Sequence, residues 1–313
     1  MINFRYHVVS LTAVFLALAI GLVVGTAALN GPVADSLKEH VDALSKANQQ
    51  MRQTVQSMER ELELEEEFAA EMAQITLPGK LTGKRVLLLT TPTGRDHAEG
   101  VLEMLQLAGA DITGRIDLQD KFINPENNNN LLELAVTAAR PTGAPTANLP
   151  GNGHGVETSS ALLATVLLDQ PADAAPVTEA DRRAVVAAYS NANYLSVADR
   201  ITAAAEAVVL VSGLPYVDKD SAKKDESVVK IAEQFDRTGG IVVAGNGSAN
   251  GNLVAFVRGD AVLAQRISTI DNANTVQGQL VTTLALVQQL TESKAGQYGV
   301  GDSAASLVPR LPQ

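Results

Sequence analysis

The softest metal ligands in this chain are four histidines and five methionines, because it contains no cysteine. Copper is held by thiolates, thioethers or clustered imidazoles. His7, His40, His97 and His154 stand singly and far apart in the sequence. Met51, Met58 and Met72 share one seven-residue register, so a thioether ladder along a helix is the one pattern that favours copper. Flexible methionines also fill helical seams, and the apolar residues between them favour that role. The absence of cysteine further removes disulfides, thiolate sites and thiol nucleophiles, without choosing a compartment.

Phosphate chemistry has one candidate, Gly245-Asn-Gly-Ser-Ala-Asn-Gly251, which follows an apolar strand-like run. Its last glycine comes one place late for a dinucleotide fingerprint. The next apolar run, Leu253 to Val257, reads as a strand, which would leave the loop without the helix N-terminus that binds anions. A turn between strands is the expectation. Thr91-Pro-Thr-Gly-Arg95 lacks both a GxGxxG and a P-loop lysine, and no HExxH, GxSxG or DxDxDG is present. No residue is therefore assigned as catalytic, cofactor-binding or metal-ligating, and the chain is not expected to be an enzyme. A degenerate nucleotide-binding enzyme is kept as a further alternative.

Charge excludes another class. The net charge of -11, with no basic cluster denser than Lys84-Arg85 or Lys223-Lys224, argues against nucleic acid. Aromatic residues make up only 4%, with no tryptophan, so there is no stacking platform for single strands.

What these residues are mounted on is more informative. Val8 to Leu29 is uncharged and makes roughly 33 Å of helix, enough to span the hydrocarbon core. It exceeds the apolar core of a signal peptide, so an uncleaved anchor is expected. Residues 1–7 form a short N-terminal flank that permits a cytoplasmic N-terminus, although Arg5 against Lys38 and Lys46 does not decide orientation by charge. Ala13, Ala17, Gly21 and Gly25 place a small residue at every fourth position, and Gly21 to Gly25 is a GxxxG, the spacing that lets two helix backbones approach in lipid.

After Gly31-Pro32, residues 34–76 read as a polar rod. Leu37, Leu44, Met51, Met58 and Met72 form one heptad series, and Ala34, Val41, Val55, Leu62 and Ala69 form the other, with Asn48 in its register. The series fit the d and a positions of a coiled coil, where an asparagine fixes register and strand number by pairing with itself. Leu64, Phe68 and Ile75 suggest a phase shift past Leu62. So polar a helix is marginal alone, and a second strand is expected, either another copy or a different protein.

Residues 79–301 alternate apolar runs with amphipathic stretches. Expected strands are Lys84–Thr91, Asp111–Leu118, Ala207–Ser212, Ile241–Ala244 and Leu253–Val257. Expected helices are Asp96–Leu107, Leu131–Ala139, Val156–Leu168, a segment through Arg182–Tyr189 started by Thr178 and Asp181, Asp225–Phe235, and Thr275–Leu290. This order predicts an α/β fold with a Rossmann-like, mostly parallel, doubly wound sheet. Arg140–Gly155 reads as a surface loop and residues 302–313 as a loose tail.

The opening segment, Met1 to Leu29, and Gly296-Gln-Tyr-Gly-Val-Gly301 after a long amphipathic helix resemble the actinobacterial copper transport protein B (MctB) family, whose corynebacterial members are called SteB. The resemblance covers the whole architecture. It implies an envelope protein of mycolic-acid bacteria, single-pass in the cell membrane, with its C-terminal domain in the periplasm-like space. Two functions come with it: copper efflux or resistance, and cell separation, in which SteB works with a membrane partner, SteA, on an NlpC/P60-type peptidoglycan hydrolase. Neither carries catalytic residues to this chain. A single span forms no pore unless it oligomerises, and the α/β pattern is not that of an outer-membrane barrel. The favoured expectation is a scaffold that contacts itself, the bilayer and envelope proteins. Copper enters only under the alternative reading.

Overall fold

The structure is a computed structural model that describes residues 4–30, 32–139, 143–144, 149–172, 174–198, 200–247 and 251–310. The chain divides into two compact units, Met1–Glu65 and Glu66–Gln313.

The first unit is helical. Helix α1, Phe4–Asn30, contains the stretch Phe4–Ala27, which is long and apolar enough to cross a membrane. From Val8 to Ala27 it carries no charged residue on any face and lies unburied, as a lipid-facing helix requires. Helix α2, Pro32–Thr76, begins on a proline. Proline suits a first helical position because its missing N–H would have had no partner there. At 1.5 Å per residue α2 is roughly 68 Å long.

The second unit starts with the last turns of α2. Ala69 and Ala73 are buried there, and the chain turns through Gly79 at φ +81° to bury Leu77 and Leu81. The sheet follows, with β1 (Arg85–Thr90), β2 (Asp111–Leu118), β3 (Leu195–Val197), β4 (Ala207–Val211), β5 (Gly240–Ala244), β6 (Ser268–Ile270) and β7 (Gln297–Tyr298). Their order is β3-β2-β1-β4-β5-β6-β7, parallel except for β3 against β2. That is the expected doubly wound α/β sheet, with the strand order reversing between β1 and β4.

Alternation sorts each central strand into two cores. Leu87 and Leu89, Val208 and Leu210, and Ile241 and Val243 face one core. It is covered by α5 (Asn128–Ala139), α6 (Gly155–Leu167), α7 (Glu179–Asn191) and α8 (Ser221–Thr238), with the short α4 (Asp120–Ile123) at its margin. Val86 and Leu88, Val209, and Val242 face the other, covered by α3 (Arg95–Leu107), α10 (Val276–Glu292) and the end of α2. A strand buried on both faces favours apolar residues at every position, which is why Val86–Leu89, Ala207–Val211 and Ile241–Ala244 read as unbroken apolar runs. Thr178 starts α7 with a capping box, its hydroxyl accepting from the Asp181 amide at 3.1 Å while the Asp181 carboxylate accepts from the Thr178 amide.

Three expectations change. Leu253–Val257 is not a strand: α9, Leu253–Gly259, is a helix that buries Leu253, Val254 and Val257 and exposes Phe256, with Asn252 accepting from the Val254 amide at 2.8 Å. A five-residue apolar run fits either element, and here the cap and the helical burial period decide. The place beside β5 belongs to β6, whose sequence Ser268-Thr-Ile270 carries little strand signal, and β7 pairs with it to form the edge. The tail is tied down as far as Arg310: Ala305 N donates to Gln297 O at 2.8 Å, Gly299 N to Ser306 O at 3.2 Å, and the Gln288 amide to Arg310 O at 3.2 Å, while Pro309 is buried. In the expected Arg140–Gly155 loop, residues 140–142 and 145–148 lie outside those described, and Gly155 begins α6.

Candidate functional site

The membrane helix presents its small residues openly. Ala13, Ala17 and Gly21 are exposed, and a Cβ placed on Gly21 or Gly25 would meet nothing within 4 Å. Thr12 and Thr26 donate back to Val8 O and Leu22 O, so the helix itself supplies acceptors for these two hydroxyls.

On α2 the residues of the expected seam form one stripe, apolar except at Asn48. Leu37, Val41, Leu44, Met51, Val55, Met58 and Leu62 are all exposed, as is Asn48 between them. Water-exposed leucines repeated at heptad spacing are unfavourable in a lone helix, and each would lose that cost by packing into a neighbour. The stripe ends where the second unit begins. Ala69, the next residue of the same series, is already buried at 5% exposure by its own domain. Phe68 and Ile75, 66% and 76% exposed, carry apolar surface on another side of the helix.

The histidines and methionines do not converge. Met51 and Met58 lie about 10.5 Å apart along the helix axis, too far for one ion to take both from one strand. Among the described residues no group of three histidine, cysteine or carboxylate side chains could hold a metal. His97 approaches the Asn246 side chain at 3.4 Å and no other histidine.

The crevice between β1 and β4 is where an open α/β sheet of this order binds nucleotides. In this chain the two loops close it against each other. Thr91 N donates to Val211 O at 2.9 Å, Gly213 N donates to the Thr93 hydroxyl at 3.2 Å, and the Thr91 and Ser212 hydroxyls meet at 3.4 Å. A Cβ on Gly94 would lie 2.4 Å from Val211 O, and one on Gly213 would lie 1.8 Å from Thr93 O. These glycines serve backbone-to-backbone packing, where a phosphate-binding glycine would face an open cleft. The Gly245–Gly251 loop does enter a helix, α9, contrary to expectation. That helix is short, and its cap Asn252 is turned inward to Gly213 O and Asn246 O.

Two constellations carried no motif signal. The first joins Arg258 of α9 to Asp271 after β6, beneath the loop Gly296–Gly301. The second is a cavity of about 580 Å³ between the loop after β4 and helices α8 and α9. Residues far apart in the chain build each of them, and only the topology brings these together.

The comparisons agree with the architecture. A family model described as "Copper transport outer membrane protein, MctB" matches residues 1–309. A protein named "Copper transporter MctB" from Mycobacterium tuberculosis (strain ATCC 25618 / H37Rv) is 29% identical over 315 residues, covering 98% of this chain and 99% of the relative. A protein of the same name from Mycobacterium leprae (strain TN) is 28% identical over 322 residues, covering all of both. A match over nearly the full length, with one N-terminal helix able to cross a membrane, makes this chain a member of the MctB family.

Proposed function

We propose that this protein is a single-pass, membrane-anchored scaffold whose rod pairs with a second strand and carries a non-catalytic α/β domain to partners in the cell envelope. The observation that carries this reading is the exposed heptad stripe from Leu37 to Leu62 on α2. Such a stripe demands a partner. The small-residue face Ala13–Gly25 supplies a second association surface in series with it. A parallel pair of copies is the simplest partner, since Asn48 would face its own counterpart. The resemblance to corynebacterial SteB supports a role in cell separation, with a SteA-like membrane partner and an NlpC/P60-type peptidoglycan hydrolase as the regulated enzyme. In this reading the N-terminus is cytoplasmic, the domain lies outside the membrane, and no resident cofactor is needed.

Cysteine scanning tests it directly, because the chain has no native cysteine. Asn48→Cys and Met51→Cys should crosslink on oxidation, and Gln53→Cys, off the seam, should crosslink far less. Equal crosslinking at all three positions, or none, would overturn the paired rod.

A second reading is direct copper handling. It is favoured by the printed names of the family and its relatives, and by the Met51 and Met58 thioethers, which a parallel pair would bring together at each level. Titration of the full-length protein with Cu(I) decides it: saturable uptake lost in Met51→Leu/Met58→Leu supports this reading, and no uptake above buffer removes it.

A further inference from the structure

The cavity beside β4 is lined by Pro215 and Tyr216 on one side, Val229 and Asp225 of α8 on another, and Ala255 and Phe256 of α9 across from them. It opens at the carboxyl ends of the parallel strands, where α/β folds place their ligands, and it is separate from the closed crevice. Two features give it a chemical preference.

The first is a carboxylate without a cation. Asp225 accepts from the Tyr216 amide at 3.1 Å, yet no lysine or arginine pairs with it among the described residues. Its neighbours are paired: Asp218 takes Lys224, and Glu226 takes Lys230 at 3.6 Å. Burial, with the Asp218 charge nearby, pushes the Asp225 carboxyl above its ordinary range. A partly desolvated carboxylate lacking a counter-ion is unfavourable, and an arriving cation would relieve that cost.

The second feature is an apolar approach. Phe256 is 49% exposed, and the loop that supplies Pro215 and Tyr216 also exposes Leu214 at 60% and Val217 at 98%. Arginine and lysine carry an apolar stem beneath a charged head, which matches aromatic walls around an acidic floor. A free metal ion or small inorganic cation would leave those apolar side chains unused.

We propose that this cavity docks an arginine or lysine side chain presented on an apolar segment of a protein partner, with Asp225 accepting the charge and Tyr216 and Phe256 flanking the stem. The inference rests on the scaffold reading in taking the ligand to be part of a protein, and it identifies where on the domain that protein binds. It does not involve the seam, so crosslinking of the rod and binding to the cavity succeed or fail separately.

The test uses full-length protein in phosphatidylcholine nanodiscs and calorimetric titration with acetyl-Leu-Arg-Leu-amide. The matched peptide with citrulline in place of arginine keeps the shape and removes the charge. Binding of the arginine peptide, weakened roughly tenfold or more by citrulline and equally by Asp225→Asn, is the expected result. Asparagine at position 225 can still accept from the Tyr216 amide, and an unchanged circular dichroism spectrum shows that the fold is kept. Phe256→Ala, on the exposed rim, should weaken the peptide several-fold. Binding indifferent to citrulline or to Asp225→Asn, or no saturation into the millimolar range, would overturn the proposal. So would equal affinity for arginine amide alone, because a partner segment would then contribute nothing.

Discussion

Arg258 and Asp271 form an ion pair at 2.7 Å with side chains only 4% and 1% exposed. Around it the hydrogen bonding is dense: Arg258 also donates to the Thr269 hydroxyl at 2.8 Å and Tyr298 O at 2.6 Å, while Asp271 accepts from the Val300 and Gly301 amides at 2.8 and 3.1 Å. The segment Gly296–Gly301 is thus a backbone cradle for one carboxylate. Breaking a buried pair leaves an unsatisfied charge, at a cost of about 3–5 kcal/mol. Arg258→Met and Asp271→Leu should each lower the stability of the domain by that order in urea denaturation. The double variant should lose less than the sum of the two, because neither charge is then stranded.

The cradle makes a narrower demand at Gly299. Its φ is +128°, and a Cβ there would lie 2.1 Å from Asp271 Oδ1. Gly299→Ala should cost at least about 1–3 kcal/mol from backbone strain alone. Gly259→Ala, where a Cβ meets nothing, is the control and should leave the melting temperature within a degree or two of the parent.

Asp225 makes stability and binding pull in opposite directions. A carboxyl whose folded pKa lies above its unfolded value favours the fold at low pH, and that contribution is lost as pH rises from about 4 through the folded value. Asp225→Asn should therefore raise the melting temperature at neutral pH and change it little near pH 4. Peptide affinity of the parent should rise over the same interval as Asp225 ionises. A variant equally stabilised at both pH values would contradict the assignment.

Glu206 gives the reverse sign at the other end of the sheet. Burial pushes its carboxyl up, but hydrogen bonds from Lys84 at 3.2 Å and from the Arg85 amide at 3.4 Å outweigh this and hold it below the usual range. A depressed carboxyl adds stability above its unfolded pKa and loses it as pH falls through the folded one. The melting temperature of Glu206→Gln should fall less steeply than that of the parent between about pH 5 and pH 3, measured by thermal scans across that interval.

The central strands were legible because their patterns are self-sufficient: Val86–Leu89 and Val208–Val211 are apolar enough to be buried on both faces wherever they lie. The capping box at Thr178 and Asp181 placed the start of α7 by local chemistry alone. Elements whose identity depends on neighbours were not legible. Ser268–Ile270 and Gln297–Tyr298 are strands because β5 and β6 offer them edges, and Leu195–Val197 because β2 does. Leu253–Val257 reads as a strand in the sequence but belongs to a helix, because a short apolar run has no period long enough to separate the two. The exposed apolar stripe on α2 needed only heptad spacing. The Asp225 cavity needed Tyr216, Asp225 and Phe256 brought together from three elements, which no spacing encodes.

The stitching of residues 297–310 bears on the order in which the domain is made. Every partner of this segment, from Arg258 and Thr269 to Gln288, precedes it in the chain. While a ribosome still holds these residues, Asp271 has no cradle and β6 has an open edge. Translation therefore delivers the closing piece of the sheet after all the others, and a nascent chain stalled before Gly296 would present Arg258, Asp271 and the bare rim of β6 to its surroundings. Unpaired strand edges of this kind invite unwanted pairing. Ribosome-bound chains stopped short of this segment should be the form most exposed to aggregation and to chaperone capture.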